Sequence, residues 1–235
     1  MPQGRGIRVN ETLGGIVVNI VPFIVAAMLL FPGLVHAASV YVGVGAGLDQ
    51  YIDPEPSEEE VISTLIQAGM TNVRGTVEST TVGGKLFAGI RWPLGPLHDA
   101  PTLGIELGHV RFGDYKADYS FDQGSISLKS EISGFTSSLI LNTPIEEKTS
   151  LFGKAGAFLW YVDQHGNGTV TPGMTSNYLF YDSGVGFTAG AGIEYAITRQ
   201  FHLRSELEYF FDVGNTDTTI DTDIGQLSVS GMYGF

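Results

Sequence analysis

The chain has 235 residues, with 12 Lys and Arg against 25 Asp and Glu, a formal net charge of -13 and no cysteine. That balance argues against a nucleic-acid partner, which needs a basic face, and the missing cysteines exclude a disulfide scaffold, a thiolate metal site and a thiol nucleophile. Only 16% of residues are charged, while 32 are Gly, 14 Phe, 10 Tyr and 2 Trp, a composition expected of a β-rich protein that does not face water on every side.

Residues 1–37 read as a secretory signal peptide. Arg5 and Arg8 give a positive start, an apolar stretch runs from Ile16 to Leu34, and Val35-His36-Ala37 precedes a cleavage position. The apolar stretch is about long enough for an anchor helix, but Pro22, Pro32 and the cleavage-like end favour the signal. The expected division is residues 1–37 as signal peptide and residues 38–235 as one mature domain. No later stretch is long and apolar enough for a spanning helix.

Period-two alternation dominates from there. A first strand at about 39–51 sets Val40, Val42, Val44 and Leu48 against Tyr41, Gly43, Gly45 and Asp49. The link 52–79 contains PEPSEEEVISTLIQAGM, in which Ser57 and Glu60 form a capping box and Glu58, Glu59 and Glu60 suit the positive helix end. Val61, Ile62, Leu65 and Ile66 make an apolar stripe and Gly69 a stop, so a short helix over about 57–68 is expected on the barrel mouth or as a partner-binding element.

Further strands are expected at about 80–92, 102–114, 126–142, 150–162, 180–197, 201–212 and 224–235, the fourth with ambiguous facing. Links at 93–101, 143–149 and 198–200 are short; those at 52–79, 115–125, 163–179 and 213–223 are longer. Short turns on one rim and longer loops on the other define a transmembrane barrel pattern. The fold class is all-β: an eight-stranded antiparallel up-and-down transmembrane β-barrel with a short helix in the first outer loop. A soluble barrel with an apolar lumen shares the alternation. The signal peptide, the aromatic residues near the rims and the terminal Phe235 favour the membrane.

With the apolar face toward lipid, Glu106, Lys154, Glu194, Arg204 and Glu206 point inward. Lys154, Glu194 and Arg204 lie on neighbouring strands and are expected within reach of each other, since buried charges persist only when paired. The acidic Asp212, Asp217, Asp221 and Asp223 of the last loop lack the spacing of a calcium loop. Solvated acids bridged by cations to lipopolysaccharide are expected there, with no dedicated metal site and no cofactor. His98, His109, His165 and His202 are the candidate bases for lipid-modifying chemistry. His109, beside Arg111 on the lipid-facing parity, is the best of them, and no His-x-Ser motif accompanies it. No catalytic residue and no enzyme activity are expected.

GIEYAIT at 192–198 with the RQFHLRSELEY run after it, TLGIELG at 102–108, FGKAGAFLW at 152–160 and the terminal MYGF together resemble the OmpA-like transmembrane domain and its small-barrel relatives. The resemblance implies a Gram-negative outer-membrane location and barrel assembly machinery that reads the terminal Tyr233 and Phe235. It also implies an interior charge network discussed in that family as a gate. Glu106, Glu194 and Arg204 match three of its four charged positions. The fourth, a strand-four lysine, falls near Ile140, and Lys154 or Lys85 stands in as a substitute. A static polar core and a gate are both open at this point. The sequence leaves no residues after Phe235 for a peptidoglycan-binding domain, so anchoring to peptidoglycan is not expected. The expected role is structural or surface-interacting, in envelope integrity or adhesion through the outer loops, for a monomer that meets lipid, lipopolysaccharide and an extracellular ligand. The alternative is a narrow cation-preferring pore, because acidic loops repel anions.

Overall fold

Alternating apolar and small or polar residues form strands because successive side chains leave a strand on opposite faces. The structure is a computed structural model that describes residues 38–96, 100–170, 174–215 and 219–235. The expected signal peptide, His98 and Asp217 lie outside the described residues. The strands are β1 (Ser39–Glu55), β2 (Arg74–Glu78), β3 (Thr80–Pro93), β4 (Thr102–Arg111), β5 (Tyr115–Phe121), β6 (Gly124–Pro144), β7 (Thr149–Val170), β8 (Met174–Ala196), β9 (Phe201–Gly214) and β10 (Asp221–Gly234). The helix α1 spans Glu58–Gln67.

Eight strands close an antiparallel ring in the order β1, β3, β4, β6, β7, β8, β9, β10, with β10 returning to β1. Closure leaves no edge at ring height, which a lipid-embedded sheet requires, since hydrocarbon offers backbone groups no partner. β3 and β4 pair from Gly84–Arg111 to Pro93–Thr102, and β8 and β9 from Phe187–Phe211 to Ala196–His202. The ring is thus about ten residues deep, the length a tilted transmembrane strand needs.

Exposure decides between the membrane barrel and the soluble one. Large apolar side chains sit outside, Val82 at 68% and Phe187 at 64% exposure, while Arg204 at 0% and Glu206 at 1% are sealed inside. An aqueous barrel would reverse that arrangement. β6, whose facing the sequence left ambiguous, turns Ser138, Ile140 and Asn142 inward and Leu139 and Leu141 outward.

Three stretches depart from the expected loops. Residues 115–121 form β5 and pair with β6, because Tyr115, Ala117, Tyr119 and Phe121 alternate as one buried face. The third expected strand accordingly ends at Arg111 rather than at 114. The 163–179 link is largely strand, since β7 and β8 continue pairing out to Val170 and Met174. The first long link holds β2 as well as α1, and β2 pairs with β5. An outer sheet of β2, β5, β6, β7 and β8 therefore rises beyond the ring.

α1 begins with the capping box: Ser57 Oγ accepts from Glu60 N–H at 3.3 Å, and Ser57 N–H donates to Glu60 Oε2 at 2.9 Å. It ends where Gly69 takes a positive φ of 86°. Gly69 N–H then bonds the Ile66 carbonyl and Met70 N–H the Leu65 carbonyl, the Schellman arrangement that satisfies the last orphan carbonyls. Val61, Ile62 and Leu65 pack on the apolar cluster in the barrel mouth. Ile66, the fourth member of the expected stripe, stays exposed.

Candidate functional site: the closed lumen

All five inward charges read from the sequence are buried in the lumen. Arg204 joins two of them: Nη1 lies 2.6 Å from Glu106 Oε2 and Nη2 2.8 Å from Glu194 Oε1. The second contact follows from register, since Glu194 and Arg204 are direct cross-strand partners on β8 and β9. Lys154 does not meet Glu194 as expected. It reaches Glu106 at 3.3 Å, Glu206 at 2.6 Å and Glu208 at 2.9 Å instead. The reason is the glycine face of β8: Gly190 is the register partner of both Lys154 and Glu208, and no side chain blocks the path across it. At Gly192, one pleat nearer the rim, a Cβ would stand 2.1 Å from the Ser205 carbonyl oxygen, so the strand accepts only glycine there without a backbone shift.

Three further charges, Lys85, Arg91 and Glu208, complete the network; the sequence offered Lys85 only as a stand-in for the missing strand-four lysine and did not assign Arg91 or Glu208 to it. Arg91 grips Glu194 with two bonds, 2.7 and 2.6 Å, and Lys85 bonds Glu206 and reaches Glu208. Their inward parity was legible, but reach across a lumen is not a property of a single strand. Four cations, Lys85, Arg91, Lys154 and Arg204, thus face four carboxylates, Glu106, Glu194, Glu206 and Glu208, and the cluster is neutral. Tyr41 donates to Glu106 at 2.8 Å, Asn142 to Glu194 at 3.0 Å and Thr188 to Glu208 at 2.9 Å. The Arg91 guanidinium lies 4.3 Å from the Tyr41 ring centre, and that of Arg204 4.6 Å from the rings of Phe87 and Phe152. Ile140 is fully buried and is the register partner of Lys154, so the cation enters this level from β7 instead of β6.

A second layer closes the lumen farther from the short-turn rim. Phe112, Phe158 and Phe210 meet edge to face, with ring centres 5.9, 4.9 and 4.9 Å apart. On their strands or just beyond, each lies outward of a network residue: Phe112 of Glu106, Phe158 of Lys154 and Phe210 of Glu208. Above them Tyr51, Ile132, Val162, Val213 and Ile224 continue the apolar fill up to Tyr115, Tyr119 and the underside of α1. Burial, with the nearby Tyr119 and the Glu58 charge, pushes the Tyr115 phenol up to about 12.

The remaining sequence candidates do not join this site. His109 faces outward between its register partners Leu86 and Phe135, its ring 4.9 Å from that of Phe135, and neither neighbour is a nucleophile or an acid. His165, expected in a loop, sits on the outer part of β7 opposite Leu179. His202 is half-buried at the short-turn rim opposite Met232. Among the outer acids, Asp223 accepts from Tyr209 at 2.7 Å and from the Asp212 amide at 3.1 Å. Tyr233 meets Phe201 and Phe235 edge to face, its ring centre 5.1 Å from each.

The OmpA-like transmembrane domain family matches residues 35–235, the whole ring included. The chain belongs to that family. Outer membrane protein A of Klebsiella pneumoniae is 26% identical over 196 residues, covering 83% of this chain and 50% of that protein. Outer membrane protein A of Salmonella typhi is 27% identical over 197 residues, covering 83% and 48%. The chain thus spans about half the length of the curated relatives it matches. Among solved structures, Ail, the attachment invasion locus protein of Yersinia pestis, aligns with a TM-score of 0.45 at 12% identity, covering 85% of this chain and 99% of that one. This OmpA-like barrel is a protein of the Gram-negative outer membrane.

Proposed function

We propose that this OmpA-like barrel works as a sealed wall element with an active surface: it supports envelope integrity and presents its outer sheet and loops for adhesion-like contact with an extracellular ligand. One observation carries the reading. The lumen is closed twice, by a neutral network of eight charges and by the Phe112–Phe158–Phe210 layer above it. Paired buried charges are stiff, because separating any pair leaves a charge unsolvated at a cost of about 3–5 kcal/mol. A ring of eight strands is only wide enough for side chains to fill it.

Under this reading residues 1–37 serve export and are removed, and Tyr233 and Phe235 are the signal read by the barrel assembly machinery. Lipid and lipopolysaccharide surround the outward apolar face, and the chain is a monomer without catalysis. Single-channel recording of the refolded barrel in a planar bilayer tests the closed lumen, after altered gel mobility on boiling has verified folding. A silent bilayer is the expected result. Reproducible cation-selective openings would replace the reading with that of a narrow pore, which the buried charges and acidic outer loops favour next.

A further inference from the structure

β8 is longer than the ring requires. It pairs with β7 along its whole length, but with β9 only from Phe187 to Ala196. Residues 175–186 therefore have a strand on one side and, among the described residues, none on the other. The facing of that edge follows from hydrogen bonding. Ala196 N–H donates to the Lys148 carbonyl at 2.8 Å, on the β7 side, and the β7 register runs without a shift from Tyr195 to Met174. Backbone groups alternate sides along a strand, so even residues face β7, and Asn177, Leu179, Tyr181, Ser183 and Val185 face the open edge. Ser183 agrees, since its N–H donates to Asp182 Oδ1 at 2.8 Å and not to a strand.

Natural proteins blunt such edges with short strands, charges or proline. The opposite edge of the same outer sheet is blunted: β2 has five residues with Arg74 and Glu78 at its ends. The β8 edge is not. Residues 175–186 contain no Lys, Arg or Pro, and Tyr178, Leu179, Phe180 and Tyr181 are exposed in succession, Tyr181 by 67%. Charge is set at the membrane end of the edge. There β9 leaves the Phe187–Phe211 pair with an exposed Asp212, whose amide bonds Asp223. Burial, then the charges of Asp212 and Asp223, push the Asp221 carboxyl up, which marks the three as one acidic group.

We propose that this edge docks an extended segment of a cationic partner protein, added as a strand along β8 with a Lys or Arg set against Asp212. Backbone groups of the odd residues give the affinity, and the exposed aromatic residues with the acidic group give the choice of partner. A second copy of this chain fits less well, because it brings the same acidic surface at a net charge of -13. The inference deepens the surface-contact reading and rests on it.

The test uses the protein refolded in nanodiscs and a synthetic peptide of alternating Val and Thr with two terminal Arg residues. Two comparison peptides carry Glu in place of Arg, or N-methyl groups on alternate amides. Fluorescence anisotropy should give the Arg peptide a Kd on the order of 10 µM, and each comparison peptide should bind about tenfold weaker. Asp212→Asn should reduce binding about threefold, and the Arg peptide should slow amide exchange at Leu179 and Tyr181. Equal binding of the N-methylated peptide, or no binding of the Arg peptide, overturns the proposal. So does self-association of the protein through this edge. Channel openings in a planar bilayer would instead overturn the closed-barrel reading, while a silent bilayer without peptide binding removes the docking site alone.

Discussion

Lys154 Nζ lies 2.6 Å from Glu206 Oε1 although β8 stands between their strands. The contact exists because Gly190 and Gly192 leave β8 without side chains on the lumen side at that height. The network is therefore specified as much by glycine as by charge. Gly190→Val should fill the path between Lys154 and Glu208, since even a Cβ there stands 3.0 Å from the Leu207 carbonyl oxygen. The expected loss is about 3 kcal/mol, read as a shifted urea midpoint for the unfolding of the barrel in lipid vesicles. An unchanged midpoint would mean that Lys154 does not need this route.

Removing the cation alone should cost more than removing the pair. Lys154→Met leaves Lys85 as the remaining direct ion-pair partner of Glu206 and Glu208 and should lose about 3–5 kcal/mol. Adding Glu206→Gln to that variant should restore a part, on the order of 1–2 kcal/mol. The check is a double-mutant cycle in the same unfolding assay, and additive losses would show that the two groups are not coupled.

Phe158 makes edge contacts with Phe112 and Phe210 and is fully buried. Phe158→Ala should lose about 3–5 kcal/mol through the cavity it leaves. It should not make the barrel conduct, because the ionic layer still closes the lumen below. Planar-bilayer recording of the refolded variant checks this, and steady openings would show the aromatic layer to be the sole seal.

The helix should yield separately from the ring. Ser57→Ala removes the side-chain acceptor for Glu60 N–H and should destabilise α1 by about 1 kcal/mol. Amide exchange in α1 should rise several-fold while the urea midpoint of the ring stays in place. A fall in that midpoint would make α1 part of the same cooperative unit.

The mouth should loosen at high pH. The buried Tyr115 phenol titrates at about 12 in the fold, against about 10 in an unfolded chain. Its raised value means that its contribution is fully present below pH about 10 and is lost as pH rises toward 12. The phenolate would then face the Glu58 carboxylate at the start of α1. A spin label at position 63 on α1 should gain mobility across that window, and Tyr115→Phe should suppress much of the gain. Equal mobility in both proteins would remove Tyr115 from the coupling between mouth and helix.

Much of this was legible because barrel strands carry their own facing. Glu106, Glu194, Arg204 and Glu206 could be placed inward from parity, and the Ser57–Glu60 cap could be read from four residues. β5 was not read because Tyr115, Ala117, Tyr119 and Phe121 alternate over too few residues, among polar neighbours, to stand out from a loop. The outer halves of β7 and β8 were missed because Gly166, Gly168 and Asn177 look like turn residues until a partner strand is seen to hold them.

The sequence by itself determined that eight strands alternate, which parity is apolar and which charges must be paired. These are properties of one strand and its nearest residues. Tertiary structure decided which face meets lipid, which carboxylate each cation takes and where the outer sheet is left open. Those depend on closure: only when β10 returns to β1 do Arg91 and Glu194, far apart in sequence, converge across one lumen. The stagger of β8 against β9 leaves residues 175–186 beyond the ring, and no local pattern records that.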